Sequence, residues 1–551
     1  MDATMAFTSG SPTPTRFYSS ALLSLRTPKS LSVYGPWRWR GRGRPLLALR
    51  HRSQAQAAAA AAGAAEASHH DVVVVGAGIV GLAIARHLLL HTSLSVAIAD
   101  AAVPCSGATG AGTLPSAPAL MLRCFRLYGV GCNTSFGEPL ASGFYLGWGS
   151  LCAGQGYIWM SHRTPGTDTW ELALRSKQLW EELATEVDGQ GGGGAREKLG
   201  WMRTGSLLVG RSSEELGTLD ERTKALSQAG IHAEFLSASS LHALEPALSV
   251  GKDGGAMFLP QDCQIDAFQA VSLIEKTNNS YSSEGRYREF YNDPAMSLIR
   301  SDVTGKVEAV QTSRNILYGR KAFVIASGAW TRSLLHSFVE PALTLDIPVK
   351  PRKGHLLVLE KFDKVKLNHA LMEVGYVDHQ ITKSNSTHIA SESSEDELGA
   401  LSVSMTATLD TKGNLVLGSS REFKGFSREV DRSVVQCIWE RAGEFFPAMK
   451  NVSFDIDQNT QIRIGHRPYM PDGKPVIDFI PNLSNILIAT GHEGSGLTLA
   501  LGTAEMVTDM ILGNPGKVSY SPFSIKRRFS DFCCLSPIQF KIRTDFLCLE
   551  S

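Results

Sequence analysis

Between Asp71 and Asp100 the chain spells out a strand, a glycine turn, a helix, a second strand and an acid. Asp71-Val-Val-Val-Val75 is a continuous run of the kind buried on both faces of a parallel sheet. It passes directly into Gly76-Ala-Gly78-Ile-Val-Gly81, after which Leu82 to Leu90 keeps helical apolar spacing and Ser95 to Ala99 forms the next strand. Asp100 lies 19 residues beyond Gly81. Gly76 permits the tight turn, Gly78 lets backbone approach a pyrophosphate, and Gly81 lets helix and strand pack closely. Helix-start N–H groups stabilise the anion, and the acid accepts ribose hydroxyls. A glycine-rich turn alone is a weak signal, and a purely structural βαβ unit is the bland alternative. The complete unit with its terminal acid reads as a dinucleotide site.

The 551 residues, 43% hydrophobic and 19% charged, give room for two domains or one two-part enzyme unit with a sizeable core. A formal net charge of +1 supplies no overall basic field, so no nucleic-acid partner is expected and small-molecule chemistry is favoured. No stretch approaches the roughly 20 apolar residues that span a bilayer, so no transmembrane segment is expected. None of the nine cysteines shows paired CxxC spacing, which reads as free thiols in a reducing compartment and no metal site. The first 65 residues carry eight arginines, many Ser and Thr, and a single acid before Glu66, Asp2. That is how an organelle transit peptide reads, with chloroplast preferred to mitochondrion because Ser, Thr and Pro are abundant. Ala57 to Ala62 suits a helix or a low-complexity linker and is read as linker, so residues 1–68 are expected to be disordered.

Further along, Ser206 to Gly210 and Ala256 to Leu259 read as short apolar segments around a helix at Glu214 to Ala229, an α+β lobe. Lys321 to Trp330 is another buried strand ending on glycine, and Ser384 to Leu398 is an acidic, Ser-rich solvated loop. Near the end, a strand at Asn485 to Ala489 feeds Thr490-Gly-His-Glu-Gly-Ser-Gly-Leu497, and Thr498 to Leu512 is helical.

Five blocks in a fixed order carry a resemblance to a known family. They are Val75 to Gly81, Ser106-Gly-Ala-Thr-Gly-Ala-Gly112, Leu244-Glu-Pro-Ala-Leu248 with Gln261 to Asp266, Ile325-Ala-Ser-Gly-Ala-Trp330, and Gly465-His-Arg-Pro468 through Gly496. Together they resemble the FAD-dependent oxidoreductases that include D-amino-acid oxidase, glycine oxidase, sarcosine oxidase and D-amino-acid dehydrogenase, in a plant organellar member. The resemblance implies an α/β fold: a Rossmann-like FAD-binding domain with a discontinuous α+β substrate domain built on a large mixed sheet. The FAD-binding domain would comprise residues 69–112, 154–203, 262–346 and 464–515, and the substrate domain 204–261 and 347–463.

By the same resemblance, noncovalent FAD would contact Gly76, Gly78, Ile79, Val80, Gly81, Asp100, Ala108, Thr109, Ala295 and Gly328. Gly156, Tyr157 and Ile158 would approach the isoalloxazine, and His492, Glu493, Gly494, Ser495, Gly496, Leu497 and Thr498 would line the flavin pyrimidine. A helix N-terminus there stabilises negative charge on the reduced ring. Arg467 takes the position that anchors a substrate carboxylate, a task suited to a planar guanidinium, against the alternative of a surface arginine in a turn before Pro468. His492 reads equally as a structural polar residue or one beside the flavin, while His355 and His466 read as structural. The positions of a carboxylate-binding tyrosine and a second arginine in glycine oxidase fall here on Thr406 and Gly494, which weakens glycine as substrate.

The implied reaction oxidises a small amine or amino acid, of the D-amino-acid or N-substituted-glycine type, by hydride transfer to flavin N5. No catalytic acid or base is assigned, and the electron acceptor is left open between oxygen, a quinone and a protein. The alternative from another class is a flavoprotein that assists assembly of an organelle electron-transfer complex. Residues 113–153 separate Gly107 to Gly112 from Gly154-Gln-Gly-Tyr-Ile-Trp159, segments that are continuous in the relatives, and the tail from about Arg527 likewise has no counterpart. The insertion reads as translated intron sequence or a gene-model error. Sequencing mature transcripts across the codons for Gly112 and Gly154 is expected to show messages that lack it. An abundant message retaining it would overturn that reading.

Overall fold

The computed structural model describes residues 65–107, 154–189, 193–338, 346–376, 401–454 and 459–528. The elements that position the site are, in chain order, β1 (Glu66–Val75), α1 (Ile79–His91), β2 (Val96–Ala99), α2 (Trp170–Gly189), β3 (Asn315–Ile325), β4 (Lys350–Leu359), β5 (Leu415–Arg421), β6 (Thr460–Tyr469), β7 (Leu483–Thr490) and α3 (Gly496–Leu512). The described residues cluster as one compact unit.

The valine run dictates the first layer. Val72 and Val74 pack on one side of β1 with Leu82 and Leu88 of α1, whereas Val73 and Val75 pack on the other with Phe323 and Ile325 of β3. β1 is parallel to β2 on one side and to β3 on the other, and β3 is parallel to β7. These strands form the spine of an eight-stranded sheet completed by Val476–Ile480, Tyr287–Phe290, Ala295–Arg300 and Val307–Thr312. β1 starts at Glu66, inside the stretch expected to be disordered, because Glu66 to Gly319-facing His70 pair with Asn315 to Gly319 of β3. Polar alternation hid that start. Likewise β3 runs from Asn315 and ends at Ile325, so Gly328 to Trp330 form a 3-10 turn and not the strand end.

The second eight-stranded sheet runs β6, β4, β5, Ser402–Leu409, Ala370–Glu373, Ser206–Gly210, Gly255–Leu259, Glu234–Ser237. Period-2 alternation splits its faces. Leu357, Leu359, Leu415 and Leu417 pack on the helix Arg432–Phe445 through Val434, Val435 and Ile438. Leu356, Val358 and Val416 form a separate small cluster on the opposite face. The strand β6 carries Arg467 in its interior, so the expected lobe boundary at 463 falls within a strand, and Arg467 is not in a surface turn.

Asp262 pins a connecting segment between the layers, accepting N–H bonds from Met160 (2.9 Å) and Ser161 (3.2 Å) and a hydroxyl bond from Ser206 (2.7 Å). Burial raises its carboxyl to about 6 despite those bonds. Among the described residues no helix is long and apolar enough to cross a membrane, no His, Cys, Asp or Glu group could hold a metal, and Cys105, Cys263 and Cys437 form no disulfide. Residues 113–153, 384–398 and nearly all of the tail lie outside the described residues.

Candidate functional site

A cavity of about 530 Å³ lies along the ends of β1, β2 and β3 and reaches the start of α3. Gly76, at φ 112°, makes the turn out of β1, and a Cβ there would stand 2.5 Å from the Ala326 carbonyl oxygen, so the crossing onto β3 admits only glycine. Gly78 is the N-cap of α1, contributes no side-chain cap, and lines the cavity together with Ile79 and Val80 of the first helical turn. The carboxylate of Asp100 accepts N–H bonds from Ala77 (2.7 Å) and Ala102 (2.8 Å), holding the glycine turn against the end of β2. Burial raises its carboxyl above the usual range.

Of the residues singled out from the sequence, Gly76, Gly78, Ile79, Val80, Asp100, Ala295, Gly328, His492, Glu493 and Gly496 line this cavity. Gly81 stands behind the turn, where its missing Cβ makes room for the Gly76 carbonyl. Ile158 is wholly buried in the core. Ala108 and Thr109 lie outside the described residues. Trp330, Ser327 and Arg428 also line the cavity and were not singled out.

The second helix start closes the far end. His492 to Ser495 form a 3-10 turn into α3, whose N-cap Ser495 makes no side-chain cap bond. Thr498 anchors that turn by donating to the Tyr157 carbonyl (2.7 Å), and the indole of Trp180 donates to the Leu497 carbonyl (3.1 Å). His492 is buried, held to the Thr503 hydroxyl at 3.0 Å, and burial lowers its imidazole to about 4, so it is neutral. His355 and His466 are similarly engaged, with Ser420 (3.1 Å) and the Ser427 carbonyl (2.9 Å).

Glu493 and Gly496 also line a smaller cavity of about 110 Å³, together with Gly156, Tyr157, Tyr376, Arg467, Gly494 and Leu497. Its wall is the open face of the second sheet. Arg352 of β4 lies directly opposite Arg467 of β6. Lys353 bridges Glu422, so the preceding Arg421 shares the face of Arg352, Gly354 and Arg467. Gly354 provides the seat: a Cβ there would stand 2.5 Å from Arg467 Nη1. Arg467 donates to the Ser420 carbonyl (2.9 Å), and the Arg421 guanidinium stacks 3.9 Å over the Tyr376 ring. Arg352 pairs with Glu493 and lies over Tyr469. Arg163 joins Arg352, Glu493 and Ser495 around an adjoining recess of about 60 Å³.

Sequence reasoning found Arg467 and missed Arg352, Arg421 and Tyr376. Thr406 lies three strands along from Arg467, opposite Gly418. Tyr376, from a different segment, brings its hydroxyl to 3.6 Å from where a Cβ of Gly494 would sit. A tyrosine and a second arginine are thus present, supplied from other positions. Paired strand glycines, Gly354 opposite Gly465, were the signal that backbone and a bulky group meet closely here.

The residues fit a flavin dinucleotide. Gly78 and Gly328 would each point a Cβ into open space, and both uncapped helix starts face one cavity bounded by Asp100. Comparison with known proteins agrees. Residues 71–510 match the family model described as FAD dependent oxidoreductase. The glycine oxidase of Geobacillus kaustophilus is 24% identical over 359 residues, 65% of this chain and 81% of that protein. The D-amino acid dehydrogenase of Vibrio atlanticus is 24% identical over 333 residues, 59% of this chain and 67% of that one. Among solved structures, glycine oxidase from G. kaustophilus superposes with a TM-score of 0.62 at 20% identity, covering 83% of this chain and 99% of that chain. Iminodiacetate oxidase from Chelativorans sp. BNC1 gives 0.58 at 20% identity, covering 82% and 98%.

Tyr376 makes the site sensitive to pH. Burial opposes its ionisation, but the charges of Arg421, Arg467 and Arg352 outweigh it and bring the phenol down to about 8; Tyr157 and Arg163 also face it. Below that value the phenol is neutral and the guanidinia attract an anion fully; above it the phenolate offsets one of them. Carboxylate-inhibitor affinity is therefore expected to fall as pH rises through about 8, and Tyr376→Phe to abolish that step. A flat profile in the unaltered protein between about pH 7 and about pH 9.5 would contradict this assignment.

Proposed function

We propose that this chain, a member of the FAD-dependent oxidoreductase family, oxidises a small amino acid whose carboxylate is held by Arg467. The observation that carries the reading is the shared wall of the two cavities. Glu493 and Gly496 line both, so a molecule seated on Arg467 lies against the cavity that the glycine turn and the two helix starts define. The names of the relatives, D-amino acid dehydrogenase and glycine oxidase, support an amino-acid substrate.

FAD, bound noncovalently, would supply a two-electron acceptor. Gly76, Gly78, Ile79, Val80 and Asp100 would hold its dinucleotide end, and His492 to Thr498 its ring end. The chain's own residues position the substrate. Arg467 binds the carboxylate in its plane, and Tyr376 donates its phenol proton to the same group below pH of about 8. The small cavity holds the amine end beside the wall that the two cavities share, so orientation contributes most of the rate. The substrate loses its α-hydrogen with two electrons and one N–H proton, becoming an imine; water then adds and ammonia leaves. Glu493 is paired with Arg352, and no side-chain base is assigned. The Arg-rich, acid-poor first 65 residues support an organelle address, plastid in preference to mitochondrion.

Anaerobic addition of D-amino acids, sarcosine or proline analogues to the FAD-loaded protein is expected to bleach the flavin band near about 450 nm. Arg467→Gln should lower kcat/KM for the active amino acid about 100-fold or more, the usual cost of removing one partner of a buried charge pair. Full FAD loading with no bleaching by any amine would reject amino-acid oxidation.

A further inference from the structure

A diphosphate brings negative charge into a cavity whose described wall holds a single cationic side chain. Among the described residues that line the larger cavity, the charged side chains are Asp100, Glu493 and Arg428. Asp100 accepts from the Ala77 and Ala102 N–H groups and Glu493 is paired with Arg352, whereas no ion pair among the described residues includes Arg428. Arg428 comes from the second sheet, on the segment between β5 and the helix Arg432–Phe445. Its Nη2 donates to the Ser106 carbonyl (2.6 Å). The preceding residue, Cys105, donates its N–H to the Ala77 carbonyl in the glycine turn (2.9 Å). The guanidinium is thus tethered beside the α1 start, the end of the cavity where an anion is stabilised.

Three buried side chains hold that segment in place. His466 donates to the Ser427 carbonyl (2.9 Å), Lys353 donates to the Glu429 carbonyl (2.6 Å), and His355 accepts from the Asp431 N–H (3.4 Å). Lys353 and His466 lie opposite each other on β4 and β6, one residue along from the opposed pair Arg352 and Arg467. Strand alternation therefore puts the substrate-side arginines on one face and the residues that fix this segment on the other. Phe426 of the same segment stacks on Trp330 at 4.9 Å, and Trp330 lines the cavity. Burying three polar side chains is a costly way to hold a mere connection.

We propose that Arg428 is a cofactor-binding residue, delivered from the second sheet to supply the positive charge that the FAD diphosphate meets at the α1 start. A guanidinium suits the task, because one N–H can stay on the Ser106 carbonyl while others turn to phosphate oxygens. The inference rests on FAD as the cofactor and is independent of which amine is oxidised.

Titration of apoprotein with FAD at two ionic strengths, followed by flavin fluorescence, tests this without turnover. Arg428 is exposed, so substituting it leaves the core intact. At about 0.02 M ionic strength Arg428→Gln is expected to raise the Kd for FAD at least about tenfold, an increment of about 1.4 kcal/mol. At about 0.5 M the gap should narrow to about threefold or less, because salt screens an exposed charge. Arg428→Lys, which keeps the charge and loses the fork, should recover part of the affinity at low salt. An unchanged Kd in Arg428→Gln, a loss of equal size at both ionic strengths, or an Arg428→Lys protein as weak as Arg428→Gln would overturn the proposal. The last two results would leave Arg428 as a support for the Ser106 carbonyl alone. Because only binding is read, failure here is distinct from failure to oxidise an amine.

Discussion

Two uncapped helix starts facing one cavity are the constraint around which this molecule is arranged. α1 begins on Gly78 and α3 on Ser495, and neither N-cap side chain satisfies the first N–H groups. Each start carries about half a positive charge, and anions near it gain about 0.3–1 kcal/mol, more when partly buried. A fold that directs two such ends at the same space is completed by a ligand with negative or electron-rich groups at both ends. FAD has that form, with a pyrophosphate at one end and, at the other, a pyrimidine ring whose carbonyl groups are electronegative and which gathers negative charge on reduction. The parallel order of β2, β1, β3 and β7 places the turns side by side at the carboxyl ends of the strands, and α1 packs against α3 beside them.

The second sheet answers with positive charge. Its helix-packed face is ordinary apolar core, whereas its open face carries Arg352, Arg421 and Arg467 around two glycines. Desolvation lowers the pKa of Arg467 and Arg352, and neighbouring guanidinia lower them further. Such an arrangement reduces stability in the absence of anions, and it is the kind of local inconsistency that marks a functional site rather than a packing solution. Tyr376 moderates it, since its ring lies under Arg421 and its phenol responds to the same charges.

What the sequence disclosed follows the range of each interaction. The βαβ unit, the helix at 496–512 and the strand feeding it were legible because periodicity and glycine spacing are local. Arg467 was legible through a neighbouring motif. Arg352, Arg421 and Tyr376 were not, because their convergence is created by the register of β4 with β6 and by the bridge from Lys353 to Glu422, pairings distant in sequence. The same limit misplaced the start of β1, whose polar residues Glu66 to His70 are ordered by β3 and not by their own pattern. It also made Thr406 and Gly494 look like losses, when Arg421 arrives from another strand and Tyr376 from the segment that follows Ala370–Glu373.

The most direct test of the two-ended site is titration of apoprotein with FAD and with FMN, followed by flavin fluorescence. If the glycine turn, Asp100 and the α1 start hold one end while the α3 start holds the other, FAD binds in a single site at least about 100-fold more tightly than FMN, a difference of about 2.7 kcal/mol. Equal affinity for the two flavins would show that the α1 end contributes nothing, and would contradict the account.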